Sequence, residues 1–407
     1  MVQTMKAEQP NRTEVFSRHN CLADADSEIW DCLVIGGGPA GAMAAIHAAR
    51  SGMRTMVVEK QTFPRDKVCG ACLNHRAFQV LRNAGLASTI DGLNGETLNR
   101  FSLRGYGASF ERQLPMGLAV SRSLLDQTLL QAAEKAGAII RTGTAAKVLP
   151  EPNRQSHYRT IALKPTGSNG TSTQISAKVV IVADGLGHPS LNATGEFKDN
   201  VNQNSYIGIG ASLGCSSDID WVPRGCITMA ATEHGYGGLV RIESGYLNVA
   251  GAVSPDLLKS CGSPQATFQW LLTRAGFPML PEIDAHWRGT PALSRAIDRV
   301  VGHRILVIGD AAGYVEPFTG EGMAWAFIGG QSVCQAASMI ATDDCDLGCR
   351  TWNQQWAELV KRRQQWCRRL AWLLRHRTAA RLTVSLAAAF PRITDRVVNQ
   401  INAELSA

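Results

Sequence analysis

Apolar and polar positions follow three rhythms along this chain. Short apolar runs at Cys32–Ile35 and Met56–Val58, and at 178–182 and 304–308 behind a leading Lys178 and Arg304, predict buried strands. Segments of helical character at 42–51, 121–137 and 322–340, and from about Asn74 to Leu86, predict helices. Residues 93–118 alternate apolar and polar with several glycines, which predicts a hairpin. Further strands are expected at 139–149 and 158–164, with a turn at 165–172. From 196 to 290 short strands recur (206–213, 225–231, 238–242, 246–253), with a helix near 264–275. The last 60 residues are helical in character and rich in Trp, Arg and Gln, and no internal repeat is present.

These rhythms predict an α/β chain. A discontinuous Rossmann-like nucleotide-binding domain is expected over 29–92, 119–195 and 291–345. A mainly antiparallel β substrate domain is inserted into it, over 93–118 and 196–290. Residues 346–407 form a C-terminal helical region, and residues 1–28 read as a disordered tail.

The chemistry is densest in DCLVIGGGPAGAMAAIHAARSGMRTMVVE, residues 31–59. A strand feeds Gly36, Gly38 and Gly41 at GxGxxG spacing, with Pro39 and Ala40 opening a helix. Gly36 permits the tight turn, Gly38 lets the backbone approach a pyrophosphate, and Gly41 lets the helix pack closely on the sheet. Free N–H groups at the helix start suit phosphate. Glu59, followed by Lys60, ends the second strand, where an acid accepts hydrogen bonds from a ribose diol.

Composition narrows the class. The 407 residues are 45% hydrophobic and 18% charged, enough for a large core. The formal charge of +7 is modest, and the basic residues form no nucleic-acid motif, so no nucleic-acid partner is expected. Residues 1–28 contain no apolar signal segment, and no run of 18 apolar residues occurs. A reduced, cytoplasmic setting is expected, with most of the 11 cysteines as small buried hydrophobes. Cys69 and Cys72 make one CxxC pair without a second, so no metal site is expected.

Two more segments point to the same ligand. One is Val182-Ala183-Asp184-Gly185, a strand ending in a turn. The other is GDAAGYVEPFTGEGMAWAF at 309–327, where a strand ends at Gly309 and Asp310 can accept from a ribityl hydroxyl. The loop with Pro317, Gly320, Gly322 and Met323 can press on a flat ring, and the helix starting near Gly322 directs its positive end there.

With FPRDKVCGACL (63–73) and VSRSLLDQTLLQAAEKAGA (120–138), these motifs occur in one order. In that order the chain resembles the FAD-dependent superfamily of para-hydroxybenzoate hydroxylases, geranylgeranyl reductases and flavin-dependent halogenases. The resemblance runs from about Asp31 to Ile340. It implies FAD bound noncovalently, with Glu59 at the adenosine ribose, Asp310 at the ribityl chain and Arg122 near the diphosphate. Arg65, Cys69, Gly70 and Asp184 complete the expected cofactor set. NAD(P)H is implied as a transient electron donor without a Rossmann site of its own. The chain departs from the family after Asp184-Gly185, where Leu191 and Asn192 follow Ser190 in place of a basic residue.

Three activities remain. An NAD(P)H-dependent monooxygenase acting on a hydrophobic, phenolic or polyketide-derived compound of secondary metabolism is the first reading. HGYGGLVRIESGYLNVAGAV (234–253) resembles the flavoproteins proposed to tailor phenolic lipids. The second is a carbon–carbon double-bond reductase of the geranylgeranyl reductase type, favoured by the Cys69-Gly70 pair. Such reductases commonly carry Tyr-x-Trp-x-Phe-Pro in the substrate domain. Here the corresponding place is Tyr236-Gly237-Gly238-Leu239-Val240-Arg241, which keeps only the tyrosine. A halogenase is disfavoured, because the family's lysine and paired-tryptophan motifs are missing. The third reading is a non-enzymatic flavin-binding scaffold.

Cys69, Tyr236 and His234 are the catalytic candidates, each with packing or structure as its alternative role. The substrate-sheet face above the flavin is expected to be apolar, and the substrate to be a small hydrophobic molecule. KRRQQWCRRLAWLLRHR (361–377) is basic with two tryptophans. We read it as a helix packed on the FAD domain with a solvated basic face; its alternative is peripheral membrane contact. Nothing in the sequence sets the oligomeric state.

Overall fold

The computed structural model describes residues 29–395 apart from 152, 154, 168–170, 215–218, 282–284, 317–319, 376 and 393. The expected N-terminal tail and Pro317 lie outside the described residues.

Two eight-stranded sheets organise the chain. In the nucleotide sheet, Ile29–Ile35 lies at the centre. It pairs in parallel with Thr55–Val58 on one side and Thr173–Val182 on the other. Ile139–Arg141 extends one edge and Ile305–Val307 the other, again in parallel. Val34, Val57, Val180, Ile181 and Leu306 are fully enclosed, as strands covered on both faces require. The strands Thr144–Val148 and Arg159–Pro165 fold back antiparallel onto the start of Thr173–Val182.

Close helix packing gives this sheet its cover. Pro39–Arg50 crosses Gly322–Ala341, and a Cβ at Gly330 would sit 2.4 Å from the Ala40 carbonyl oxygen. Two other helices begin at side-chain caps: Asn74 accepts from Ala77 N, and Ser121 accepts from Leu124 N.

In the substrate sheet the order from one edge is 288–292, 207–213, 247–253, 235–241, 226–232, 96–105, 108–119 and 72–73. All pairings are antiparallel except that of Cys226–Thr232 with Glu96–Gly105, which run parallel. The hairpin of Glu96–Gly105 and Ala108–Ala119 thus pairs beside Cys226–Thr232, about a hundred residues later in the chain. One face packs on the helices Pro255–Cys261 and Pro264–Ala275 through Ile209, Leu213, Leu239, Leu247, Val249 and Phe268.

The C-terminal helices close the molecule. Cys345–Trp356 is tied to the nucleotide sheet by Trp352 Nε1, which donates to Val307 O at 3.1 Å. Arg362–Arg375 and Arg377–Ala389 follow. Gln364 donates to Gly313 O at 3.2 Å, and Val384 packs on Leu103, Met229 and Ala231 of the substrate sheet. Among the described residues, no helix is long and apolar enough to cross a membrane.

Candidate FAD and substrate site

The glycine turn has the geometry its chemistry requires. Gly36 adopts φ +106°, and a Cβ there would lie 2.3 Å from Ala183 O. A Cβ at Gly41 would lie 1.9 Å from Gly36 O, so these two glycines are demanded by the fold itself.

Gly38 differs. Its φ of −79° and ψ of −176° suit any residue. A Cβ there would meet nothing nearer than Arg65 Nη2 at 3.7 Å and Arg122 Nη2 at 3.9 Å. The protein does not need a glycine at this position, whereas an anion approaching the helix N-terminus does. Two guanidinium groups face that space, and Arg65 Nε is buried without a hydrogen-bond partner. The residues present therefore fit an FAD diphosphate.

Both arginines are held by Asp126. Arg122 donates to it through two nitrogens at 2.8 Å each, and Arg65 Nη2 lies 3.1 Å away. Burial opposes the charge on Arg122, but the Asp126 carboxylate more than restores it, leaving the guanidinium firmly protonated. Asp126 was not among the expected site residues. Its signal was its place four residues after Arg122 on one helix face.

Glu59 is buried at the end of the second strand. Its Oε2 accepts from Gly37 N at 2.8 Å and its Oε1 from Gln61 N at 3.0 Å. Each oxygen keeps a lone pair with which to receive a ribose hydroxyl. Lys60 is exposed beside it.

Asp310 lies in the short turn Gly309–Ala312, 3.7 Å from Lys67 Nζ. Lys67 also lies 3.5 Å from where a Gly185 Cβ would be, so it bridges the turns after two parallel strands. Sequence reading had passed over Lys67, although it stands within FPRDKVCG. Asp184 accepts from Ser190 N at 2.8 Å, while its other oxygen is buried without a partner. Desolvation raises the pKa of this carboxyl.

The loop carrying Cys69 reaches the substrate sheet. Asn248 Nδ2 donates to Cys69 O at 2.9 Å, and a Cβ at Gly210 would lie 3.3 Å from Val68. Cys69 and Cys72 are both free thiols. Gly70 is exposed with open space at its α-carbon. This contact identifies the sheet face that looks toward the cofactor. Gly210, Ala250, Gly238 and Met229 are paired across four strands, so they share that face.

The apolar face expected there is lined by small residues. Most of the large side chains named for the sheet serve the helix-covered face. The cofactor-side face is a trough of Gly210, Ala250 and Gly238, edged by Asn248, Tyr236 and Met229. A strand must turn its two residue sets to opposite faces, and the apolar run alone did not say which set was inward.

Tyr236 borders the trough together with Tyr314, which follows Gly313 in the GDAAGY segment; both pack on the small cluster of Tyr206, Ala252 and Leu293. Burial pushes the Tyr314 hydroxyl well above the usual tyrosine range, and Asp310 adds to the shift. His234 is placed elsewhere. It is exposed at a strand end, edge-on to Trp270 of the helix covering the other face, with ring centroids 5.5 Å apart. That position removes it from the catalytic set.

Gly322 is the first residue of its helix, Met323 is buried and Gly320 has φ +72°. Glu321, just before, is buried at 3.8 Å from Arg76 and 3.5 Å from Arg363, and Cys367 donates to it. The helix start therefore carries a neutralised carboxylate as well as free N–H groups. Gly309, Asp310, Tyr314, Gly322, Trp325, Trp356 and Gln364 line one cavity, so the C-terminal helices form part of its wall. Among the described residues no cluster could hold a metal ion.

A parallel sheet with a glycine turn at its first strand, a guanidinium pair before the first helix and a trough-bearing second sheet define a flavin-dependent oxidoreductase. Residues 30–212 match the model of the FAD binding domain family. This match and the similarities that follow are consistent with the FAD-dependent superfamily of para-hydroxybenzoate hydroxylases and geranylgeranyl reductases. It is 29% identical over 357 residues to a menaquinone reductase of Mycobacterium tuberculosis, covering 84% of each chain. It is 25% identical over 329 residues to a digeranylgeranylglycerophospholipid reductase of Methanosarcina acetivorans, covering 79% of this chain and 78% of the relative. In fold it is similar to the flavin-dependent brominase Bmp2, with a TM-score of 0.76 at 19% identity over 92% of this chain and 94% of that one.

Proposed function

We propose that this chain is an NAD(P)H-dependent flavin monooxygenase that hydroxylates a ring bearing an apolar substituent. The observation that carries this reading is Gly238. In isoprenoid reductases the motif Tyr-x-Trp-x-Phe-Pro places an indole at the corresponding position. Here a glycine stands there, on the face that looks toward Cys69, flanked by Ala250 and Gly210. Without that indole, only the flexible Met229 side chain stands over Gly238, and a planar ring could lie there once it turns away.

FAD supplies hydride acceptance from NAD(P)H and, once reduced, activation of molecular oxygen. The protein's own residues do the rest. Arg65 and Arg122 bind the diphosphate against the helix N-terminus. The loop at Cys69 is fixed to the substrate sheet through Asn248. Tyr314, protonated throughout the neutral range, holds a hydroxyl proton at the trough for a polar group of the ring. The C-terminal helices wall the cavity through Trp356, Val360 and Gln364. Overall one oxygen atom enters the product and the other leaves as water, with NAD(P)H oxidised.

A specific observation supports a second reading, reduction of a carbon–carbon double bond: the match to reductases extends over both domains, at 84% of the chain. One experiment separates the two. Holoenzyme is given NAD(P)H and alkylphenols under labelled oxygen, and polyprenyl quinones without oxygen. The hydroxylase reading expects oxygen uptake matched to NAD(P)H oxidation and one labelled oxygen in the product. Sustained anaerobic turnover to a product two hydrogens heavier, with no label under air, would overturn it.

A further inference from the structure

The C-terminal helix Arg377–Ala389 has two unlike faces. Ala380 and Val384 are buried, and Val384 packs on Leu103, Met229 and Ala231 beside the substrate trough. Arg112 of the substrate sheet donates to Ala387 O at 2.5 Å, which fixes the helix across the sheet. On the other side Leu382, Leu386 and Phe390 are 64%, 54% and 52% exposed. They recur every four residues, so they form one stripe of about 12 Å at 1.5 Å rise per residue. The chain continues helically to the last of them, with Phe390 N donating to Leu386 O at 2.8 Å.

Large apolar side chains in a row on an exposed helix face mark a contact surface. Their surroundings say with what. Between residues 359 and 394 there are nine Lys and Arg and no Asp or Glu. That charge exceeds the +7 of the whole chain, so the rest of the molecule is net acidic. Lys361, Arg362, Arg368, Arg369, Arg381 and Arg392 are exposed. An apolar stripe within an acid-free basic belt is complementary to an anionic lipid surface. A second copy of this chain would bring the same positive charge against itself.

We propose that Leu382, Leu386 and Phe390 dock this protein on anionic bilayers, with the exposed arginines at the headgroups. The reverse side of the same helix walls the substrate trough, so a tail leaving the bilayer reaches the site along one element. The apolar stripe lies beyond 361–377, the segment the sequence had offered for membrane contact, which here contributes only basic side chains. In that segment Gln364 and Cys367 face the nucleotide domain.

The inference rests on the proposed substrate chemistry only for its purpose, because vesicle binding requires no turnover. FAD-loaded protein is sedimented with phosphatidylcholine vesicles and with vesicles of equal parts phosphatidylcholine and phosphatidylglycerol. Binding is expected to the anionic vesicles and to weaken with salt. The triple substitution Leu382→Gln, Leu386→Gln, Phe390→Gln should keep its flavin and lose binding by at least about tenfold. Arg381→Gln with Arg392→Gln should reduce the salt dependence. Absence of binding to either vesicle, or equal binding by the triple variant, overturns the proposal. So does a wild-type dimer that the triple substitution makes monomeric without any change in vesicle binding. Vesicle binding without turnover of any phenol would leave this inference standing and sink the hydroxylase reading alone.

Discussion

Gly38→Ala separates what the fold needs from what the cofactor needs. The backbone at Gly38 is extended, so alanine adds no strain there. Its methyl would stand 3.7 and 3.9 Å from the Arg65 and Arg122 nitrogens, ordinary contacts with side chains that can shift. Alanine is a poorer helix N-cap than glycine, and the apoprotein should lose no more than about 1 kcal/mol. The cofactor has no such latitude. The methyl occupies the approach to the helix N-terminus, and losing one charge-assisted hydrogen bond there costs about 1.5–3 kcal/mol, roughly 10- to 150-fold in Kd. Gly41→Ala is the contrast. Its Cβ would fall 1.9 Å from Gly36 O, so it should damage folding with or without FAD, by at least the roughly 1–3 kcal/mol of an overpacked core. The assay is flavin fluorescence quenching on titration into deflavinated protein, with thermal unfolding of the same samples. Wild-type FAD affinity in Gly38→Ala would refute the placement of the diphosphate.

Three further outcomes follow from the geometry. Asp310→Ala should weaken FAD by about 1.5–3 kcal/mol while leaving apoprotein unfolding nearly unchanged, since its contact in the protein is the half-exposed Lys67; equal affinity would reassign Asp310 as structural. Arg304 is buried and donates to Ser156 O, Lys178 O and Ile340 O, so Arg304→Met should cost about 2–4 kcal/mol in denaturant unfolding. A change below about 0.5 kcal/mol, the scale of a neutral surface substitution, would show those bonds to be unimportant. The Tyr314 hydroxyl is raised above its ordinary value of 10.0, so it is protonated below that pH and ionises only above it. The kcat–pH profile should show no tyrosine limb up to pH about 10, the ordinary tyrosine value, and one that Tyr314→Phe abolishes at lower pH would contradict this.

The nucleotide half of the site was legible because its determinants are local. The turn at Gly36–Gly41 and the acid at Glu59 lie within one strand–helix–strand unit, and each residue's role follows from the turn. The Arg65–Asp126–Arg122 set was only partly legible. It forms when the loop after Thr55–Val58 folds onto a helix starting at Arg122, and no periodicity encodes that return. The substrate half was read at the level of strands but not of faces. Leu239 and Gly238 are neighbours in sequence, yet one packs on Phe268 and its cluster while the other looks toward the cofactor. Only the partner strands decide which is which, and they line the opposite face with glycine and alanine. His234 failed for a related reason. Two residues from Tyr236 in the chain, it sits where the strand begins and its ring meets Trp270 instead.

The division of labour between the two sheets explains why fold and cofactor are readable while the reaction is not. The residues placed to hold FAD must meet fixed chemical groups, so they are charged side chains or a glycine, Gly38, that leaves a phosphate its approach. Gly41 and Gly36 cannot change without moving backbone. The trough is the reverse case. A Cβ at Gly238 meets first the sulfur of Met229 at 2.8 Å, the far part of a flexible side chain, so larger residues fit there if Met229 turns away. Under the proposed function, Gly238 is the inward position at which the scaffold can be refitted from ring to chain substrates, whereas a Cβ at Gly210 would meet Val249 O at 2.8 Å. Selectivity between oxygenation and reduction then depends on what those positions hold against the flavin and how long they exclude oxygen and water. Under the proposed function, Gly238 and Tyr314 are the residues at which that choice would be made.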